Sequence, residues 1–273
     1  MLCNICGSNK TSLKTETQDF AYSGKRFKII KCNNCNAMQT YPFPEKTERY
    51  YDAKNYDSYN TKTSFLGVLY RLVQKINVKY KLSLLKGRGP KLLDYGAGSG
   101  FFVNYANTKG YDAFGYEPVN KTKNSRIYNK KTDFESKKYD IITLWHVLEH
   151  TKNPVKLLKD FKKTLKTNGV VVVALPNTDS YDNFIYKKHW SGYDVPRHLY
   201  HFNRASFRFL VKKVGYRIVK TKPLYFDSFY VSMLSEKYKK NPLWFVFGFF
   251  NGFLSNLLAL YSKNHSSIIY IIK

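Results

Sequence analysis

Acid is what this chain lacks most. Nineteen Asp and Glu stand against 46 Lys and Arg in 273 residues, a formal net charge of +27 at pH 7. Such a field favours polyanions: nucleic acid, anionic lipid headgroups or phosphorylated substrates. Part of the excess reflects a composition rich in Lys, Asn, Tyr and Ile throughout. Cysteine is also sparse: all 4 lie at or before Cys35, so no thiol remains downstream as a nucleophile. No internal repeat or long low-complexity tract interrupts the chain. No basic segment followed by an apolar run opens it, so no secretion signal is expected, and the reading is of a cytosolic, reducing location. Hydrophobic residues make up 43%, enough at this length for one sizeable α/β domain and a small appendage.

The four cysteines, Cys3, Cys6, Cys32 and Cys35, form two Cys-x-x-Cys pairs. Two such turns can bring four thiolates around one zinc ion in tetrahedral geometry. Gly7 and Asn36 follow the two pairs and suit the positive φ of a metal knuckle. The stretch FAYSGKRFKIIK between the pairs reads as a hairpin around Ser23-Gly24. Two disulfides are the alternative; spacing and location count against them. Four protein ligands leave the metal no open position, so its role would be structural. Residues 1–44 are thus read as a zinc-binding ribbon ending at YPFPE.

The most specific feature lies further on, in KLLDYGAGSGFF. An apolar strand ending in Asp94 enters a turn carrying Gly96, Ala97, Gly98 and Gly100, and a helix is expected to open near Ser99. Glycine serves there because the backbone must turn sharply and approach a ligand with no Cβ in the way. Glu117 closes the next strand, YDAFGYEP, where a carboxylate can accept from two ribose hydroxyls. Phe101 stands where a dinucleotide fingerprint would have its last glycine, which weakens a nicotinamide-dehydrogenase reading. A buried strand, YDIITLWHVLEH, and a second apolar strand, GVVVVALPN, follow. These motifs resemble class I S-adenosylmethionine-dependent methyltransferases over roughly residues 90–225.

The resemblance implies a Rossmann-like α/β fold with a seven-stranded methyltransferase sheet, its last strand (SSIIYIIK) antiparallel. Strand–helix alternation in the sequence independently points to a parallel sheet covered on both faces: strands at 91–95, 111–117, near 131–134, 139–145, 170–175 and 216–222, helices at 100–109, 154–167 and 204–214. The resemblance assigns Asp94 to the glycine turn and the methionine end of S-adenosylmethionine, Glu117 to its ribose, and Asp133 with Phe134 to its adenine. It places Trp145 and His146 on the methionine and sulfonium side, where an aromatic face attracts the cation. Core packing is the alternative for Trp145.

HWSGYDVPRHLYHF, His189 to Phe202, falls at the carboxyl edge of the sheet, where open α/β folds bind ligands. Methyl transfer to a hydroxyl needs a base. His198 is the expected base, oriented by Asp194, with Arg197 gripping an anionic part of the substrate and His146 in reserve. His146 and His150 are also spaced to share a metal on a helix, but no third ligand is evident. No Asn/Asp-Pro-Pro-Tyr tetrapeptide follows the fourth strand, which speaks against methylation of exocyclic amines, and the missing thiol speaks against cysteine-dependent cytosine methylation. O-methylation, or C-methylation beside a carbonyl, fits better.

Two segments remain. Residues 45–89 hold a Tyr-rich stretch, read as a cofactor lid or an ordered linker, and a helix over Phe65–Leu85. The domain at 90–273 carries an apolar insertion at about 240–262, whose run LWFVFGFFNGFLSNLLALYS has no charge. Its length suits a transmembrane helix, but a crossing would separate the final strand from its sheet. Gly248, Gly252, Ser255 and Ala259 share one face. The segment is expected as a helix or hairpin lying in an anionic membrane interface beside Lys237, Lys239, Lys240 and Lys263, against a partner, or against the protein's own core. A sugar or lipid-linked glycan intermediate is the expected methyl acceptor, by similarity to bacterial glycan methyltransferases that pair Cys-x-x-Cys modules with this domain; the location is then cytoplasmic, peripheral to the inner face of the membrane. The chain lacks the large carboxyl-terminal domain of the sugar C-methyltransferases among them. RNA methylation and a non-catalytic binding module are the alternatives.

Overall fold

The computed structural model describes residues 1–44, 50, 65–118 and 124–273, with backbone alone over 65–70. Of the Tyr-rich segment read as lid or linker, residues 48–49 and 51–64 lie outside the described residues.

Seven strands form the principal sheet, in the order β10 (Ile218–Pro223), β11 (Ser267–Ile272), β8 (Leu165–Pro176), β7 (Tyr139–Trp145), β4 (Lys91–Tyr95), β5 (Asp112–Tyr116) and β6 (Ile127–Tyr128). From β6 to β8 all neighbours are parallel. β11 runs antiparallel between β8 and β10, as expected of the last strand. Leu92, Leu93, Ile141, Ile142, Leu144, Val171, Val172 and Val173 are all fully buried, the continuous apolar filling required of parallel strands covered on both faces.

The helices are α1 (Phe65–Ser83), α2 (Phe101–Asn107), α3 (Thr132–Glu135), α4 (Pro154–Thr164), α5 (Tyr181–Tyr186), α6 (Arg204–Lys213), α7 (Tyr225–Tyr238) and α8 (Trp244–Ser262). Their starts follow local chemistry. Asn153 caps α4 by accepting from the Lys156 amide, with Pro154 in the first turn. Asn203 and Ser206 cap α6 reciprocally. Two expectations shift. The short third strand is Ile127–Tyr128, and residues 131–134 instead enter the helical turn α3. The helix after the glycine turn opens at Phe101.

The smaller sheet is antiparallel, β1 (Thr11–Gln18), β2 (Arg26–Cys32), β3 (Met38–Tyr41), and is completed by β9 (Tyr200–His201) from the far side of the principal domain. Its hairpin turn, expected around Ser23-Gly24, is tied by Asp19, whose carboxylate accepts from the amides of Ala21, Tyr22 and Ser23. Cys3, Ile5, Cys32, Cys35 and Ala37 share one continuous apolar core with Leu93, Tyr95 and Leu144 of the principal sheet. The cysteine module is therefore packed into the domain and contributes to its core.

α7 and α8 form a hairpin that begins before the expected insertion. The small-residue face of α8 is its contact seam: Gly248, Gly252, Ser255 and Ala259 are buried. A Cβ at Gly248 would stand 2.5 Å from the Met233 Cα, and one at Gly252 2.7 Å from the Phe229 Cα, so only glycine allows this approach. The large residues face outward, Val246 and Phe250 each 61% exposed.

Candidate active site

The glycine turn is held against β5. The amides of Gly96 and Ala97 both donate to the Tyr116 carbonyl, at 2.8 and 3.0 Å. Gly96 and Gly98 take φ of +81° and +52°, left-handed conformations that side chains disfavour. A Cβ on Gly96 would also meet Val147 Cγ2 at 2.5 Å. The Gly98 amide donates to Glu117 Oε2 at 3.0 Å, which joins turn and acid in one unit. Asp94, buried at the end of β4, accepts from Thr143 Oγ1 at 2.6 Å. Burial raises its carboxyl to about 6, against the opposing pull of Thr143 and Lys81.

Lys81 of α1 lies with its Nζ 4.6 Å from the centre of the Trp145 ring. Trp145 also meets Phe102 edge-on at 5.4 Å, and its Nε1 has no hydrogen-bond partner among the described residues. It is a packed residue at the cofactor end of β7. The adenine pair divides: Phe134 is sealed in the core, 5.1 Å from the Tyr116 ring, while Asp133 stands exposed on α3. Phe134 thus lies on a helical turn, packed into the core of the sheet, and does not end a strand.

His146 leaves β7 at φ +55°. Its Nε2 lies 2.8 Å from Asp227 Oδ2 on α7, and its Nδ1 3.4 Å from Glu149 Oε1. Burial opposes its charge, but the two carboxylates prevail and raise the imidazole to about 9. His146 is therefore charged at neutral pH and is no proton acceptor, which corrects its reserve role.

The loop from Trp190 to His201 lies between the sheet edge and α7. Ser191 donates from its amide to Ser235 Oγ and from its hydroxyl to the Val231 carbonyl. Trp190 Nε1 donates to Asp182, which also accepts from Ser255 of α8 and from Ser266. His198 Nδ1 lies 2.9 Å from the Gly192 carbonyl, so it carries the proton and Nε2 is the open base position. That carbonyl, not Asp194, orients the ring. Asp194 reaches His198 Nε2 only at 4.0 Å and is committed to Arg197, at 2.6 Å from Nη2. Arg197 is wholly buried, and its Nη2 also donates to Asp19 Oδ1 at 3.0 Å. Its guanidinium is spent on these acids and cannot grip a substrate anion, a second correction.

Glu149, Asp227, Lys81, Thr143 and Asp19 were not singled out in the sequence. Glu149 alone carried a local signal, its place beside His150 after a buried strand; the others come from elements distant in sequence.

The cysteine sulfurs fit a tetrahedral ion. Cys3 and Cys35 Sγ lie 3.6 Å apart, Cys6 and Cys32 Sγ 3.5 Å. Thiolates about 2.3 Å from a shared zinc would stand about 3.8 Å apart. Gly7 and Asn36 take the expected positive φ, +82° and +60°.

A wide hollow lined by Lys79, Lys86 and Lys109 opens at the opposite, amino edge of the sheet, away from the glycine turn.

Comparison with known proteins gives one family. Residues 70–221 match the model of a methyltransferase domain family. No curated protein matches the chain. Among solved structures, a SAM-dependent methyltransferase from Archaeoglobus fulgidus is 16% identical, with a TM-score of 0.49, over 77% of this chain and 100% of its own. Magnesium protoporphyrin IX methyltransferase from Synechocystis, solved with SAH bound, is 14% identical, with a TM-score of 0.46, over 64% of this chain and 90% of its own. A cyclopropane synthase from Mycobacterium tuberculosis is 13% identical, with a TM-score of 0.47, over 73% and 83%. The family match spans more than half the chain and covers the glycine turn, Glu117 and the strands that carry them: the protein belongs to the methyltransferase domain family and is a class I S-adenosylmethionine-dependent methyltransferase.

Proposed function

We propose that the enzyme methylates an oxygen of a sugar or lipid-linked glycan intermediate, working from the cytoplasmic side against an anionic membrane surface. The observation that carries this reading is the outer face of α8. Phe249, Phe250 and Phe253 are 53%, 61% and 54% exposed, on a helix whose membrane-length apolar stretch is only 22% buried. The lysines at its ends and the net charge of +27 complement acidic headgroups. The same hairpin holds the acceptor loop, directly through Ser235 and Val231 on α7, and through Ser255 on α8, which bonds the Asp182 that accepts from Trp190. An acceptor anchored in lipid would therefore meet the loop next to its own anchor.

Bound S-adenosylmethionine supplies an electrophilic methyl on a sulfonium. Glu117 would hold its ribose, Asp94 its cationic methionine end, the turn of Gly96, Ala97, Gly98 and Gly100 would lie along it, and Asp133 would stand at the adenine side. Trp145 would border the sulfonium. On the acceptor side, His198 Nε2 takes the hydroxyl proton as the oxygen attacks, with Nδ1–H fixed on the Gly192 carbonyl. Zinc held by Cys3, Cys6, Cys32 and Cys35 would fold the amino-terminal module and have no part in the chemistry.

The deciding experiment is transfer of labelled methyl from S-adenosylmethionine into fractionated cell extract. Label in the lipid-linked or sugar-nucleotide fraction supports the proposal. Label in RNA would refute it and make the positive charge an RNA-binding surface.

A further inference from the structure

Behind the acceptor loop lies a narrow gap, too tight for a water molecule, whose lining includes Glu149, Thr178, His198 and His201. Three buried polar atoms of that lining have no polar partner among the described residues: Glu149 Oε2, Thr178 Oγ1 and His201 Nδ1. Glu149 is 1% exposed, and His146 engages only its Oε1, from Nδ1 at 3.4 Å, while its own Nε2 bonds Asp227. Buried polar atoms are almost always satisfied, so three unsatisfied atoms around one space mark a place built for a polar occupant.

The donor set says which kind. One potential ligand atom from each of Glu149, His150 and His198 lies within 4.8 Å of the other two. His150 Nδ1 lies 3.0 Å from the Arg197 carbonyl and His198 Nδ1 2.9 Å from the Gly192 carbonyl. A carbonyl only accepts, so both Nδ1 atoms carry protons and both Nε2 atoms carry lone pairs. Backbone carbonyls that fix the imidazole tautomer in this way are the usual outer support of metal-bound histidine. Two imidazoles and a carboxylate suit a borderline divalent ion such as zinc, cobalt or iron better than calcium or magnesium.

We propose that Glu149, His150 and His198 bind a divalent transition-metal ion, a second site separate from the four cysteines. The pairing of His146 with His150 suggested by their spacing is replaced: His146 turns to Asp227, and the third ligand comes from the acceptor loop. Three protein ligands leave a position open, where an acceptor hydroxyl would bind and lose its proton more readily. That role rests on the O-methylation reading, and His198 would then serve as ligand and not as base; occupancy of the site does not depend on either.

The test counts metal in the full-length protein after saturation with zinc or cobalt and removal of excess. Wild type should retain two equivalents, and Glu149→Gln and His198→Ala one each. With cobalt, one equivalent should show intense thiolate charge-transfer bands and the other only weak visible bands. One equivalent in saturated wild type would overturn the proposal, whether or not the variants fold. So would two equivalents retained by both folded variants. Because no acceptor is needed, this result stands apart from the labelled-methyl experiment.

Discussion

Arg197 and Asp19 meet at 3.0 Å in the interior, 178 positions apart in sequence, with side-chain exposures of 1% and 0%. One comes from the acceptor loop and the other from the hairpin of the cysteine module. Asp194 completes the group at 2.6 Å. A buried ion pair of this kind binds two parts of a fold together and is costly to break from one side. Removing the cation leaves two acids without a counter-charge. Arg197→Ala should therefore destabilise the protein by about 3–5 kcal/mol in denaturant unfolding. Unfolding at wild-type denaturant concentration would show that the contact is dispensable.

Asp94 sets a pH dependence for the cofactor. Its carboxyl is raised by burial from 3.8 to about 6. The folded state thus holds this proton more tightly than the unfolded chain, so its contribution to stability falls as pH rises from about 4 to about 6 and is flat above. Binding of a cationic cofactor needs the carboxylate and runs the other way. Affinity for S-adenosylmethionine should fall as pH drops below about 6, approaching tenfold per unit. In calorimetric titrations between pH 7 and 5, Asp94→Asn should bind more weakly at pH 7 and lose this slope.

Within the turn, Gly98 stands where a side chain is disfavoured. Gly98 takes φ +52° and its amide bonds Glu117. Gly98→Val should weaken cofactor binding at least about 100-fold, since backbone and ribose acid shift together. The thermal midpoint should move far less. Retained affinity would place the cofactor elsewhere.

Metal removal should not unfold the amino-terminal module alone. Cys3, Cys32 and Cys35 share a core with Leu93 and Leu144, and β3 pairs with β9. Stripping the thiolate-bound ion should lower the stability of the whole chain in one cooperative transition, seen by calorimetry. Two separate transitions would mean that module and domain fold independently.

The face of α8 can be altered without touching the fold. Phe250 and Phe253 are 61% and 54% exposed, so Phe250→Asp with Phe253→Asp should cost about 1 kcal/mol or less in stability. Retention on anionic liposomes should be lost. Unchanged retention in the double variant would remove the lipid-facing role.

The principal sheet was legible because its signals are local. Apolar runs such as that over Val170 to Leu175, the glycines after Asp94 and the small-residue stripe of α8 each declare their element within a few residues. The site was less legible because its partnerships are not. Arg197 and Asp194 sit close to His198 in sequence and look like a catalytic group, yet Asp19 draws the guanidinium inward from the opposite end of the chain. His146 is converted from base to cation by Asp227, which lies on a helix that no periodicity announced. Glu149 was visible in the run LEH, but its significance depends on His198 being folded over it.

The two-residue strand β9 has a consequence beyond closing a sheet. His201 pairs with Met38 and Tyr200 with Gln39, while Thr40 donates its backbone amide to the Leu199 carbonyl and its hydroxyl to the His198 carbonyl. The position of His198 is thus ruled from the amino terminus as much as from the domain that bears the cofactor. The cysteine module thus braces the loop that carries His198, and an exchange of modules between relatives would be expected to shift that loop.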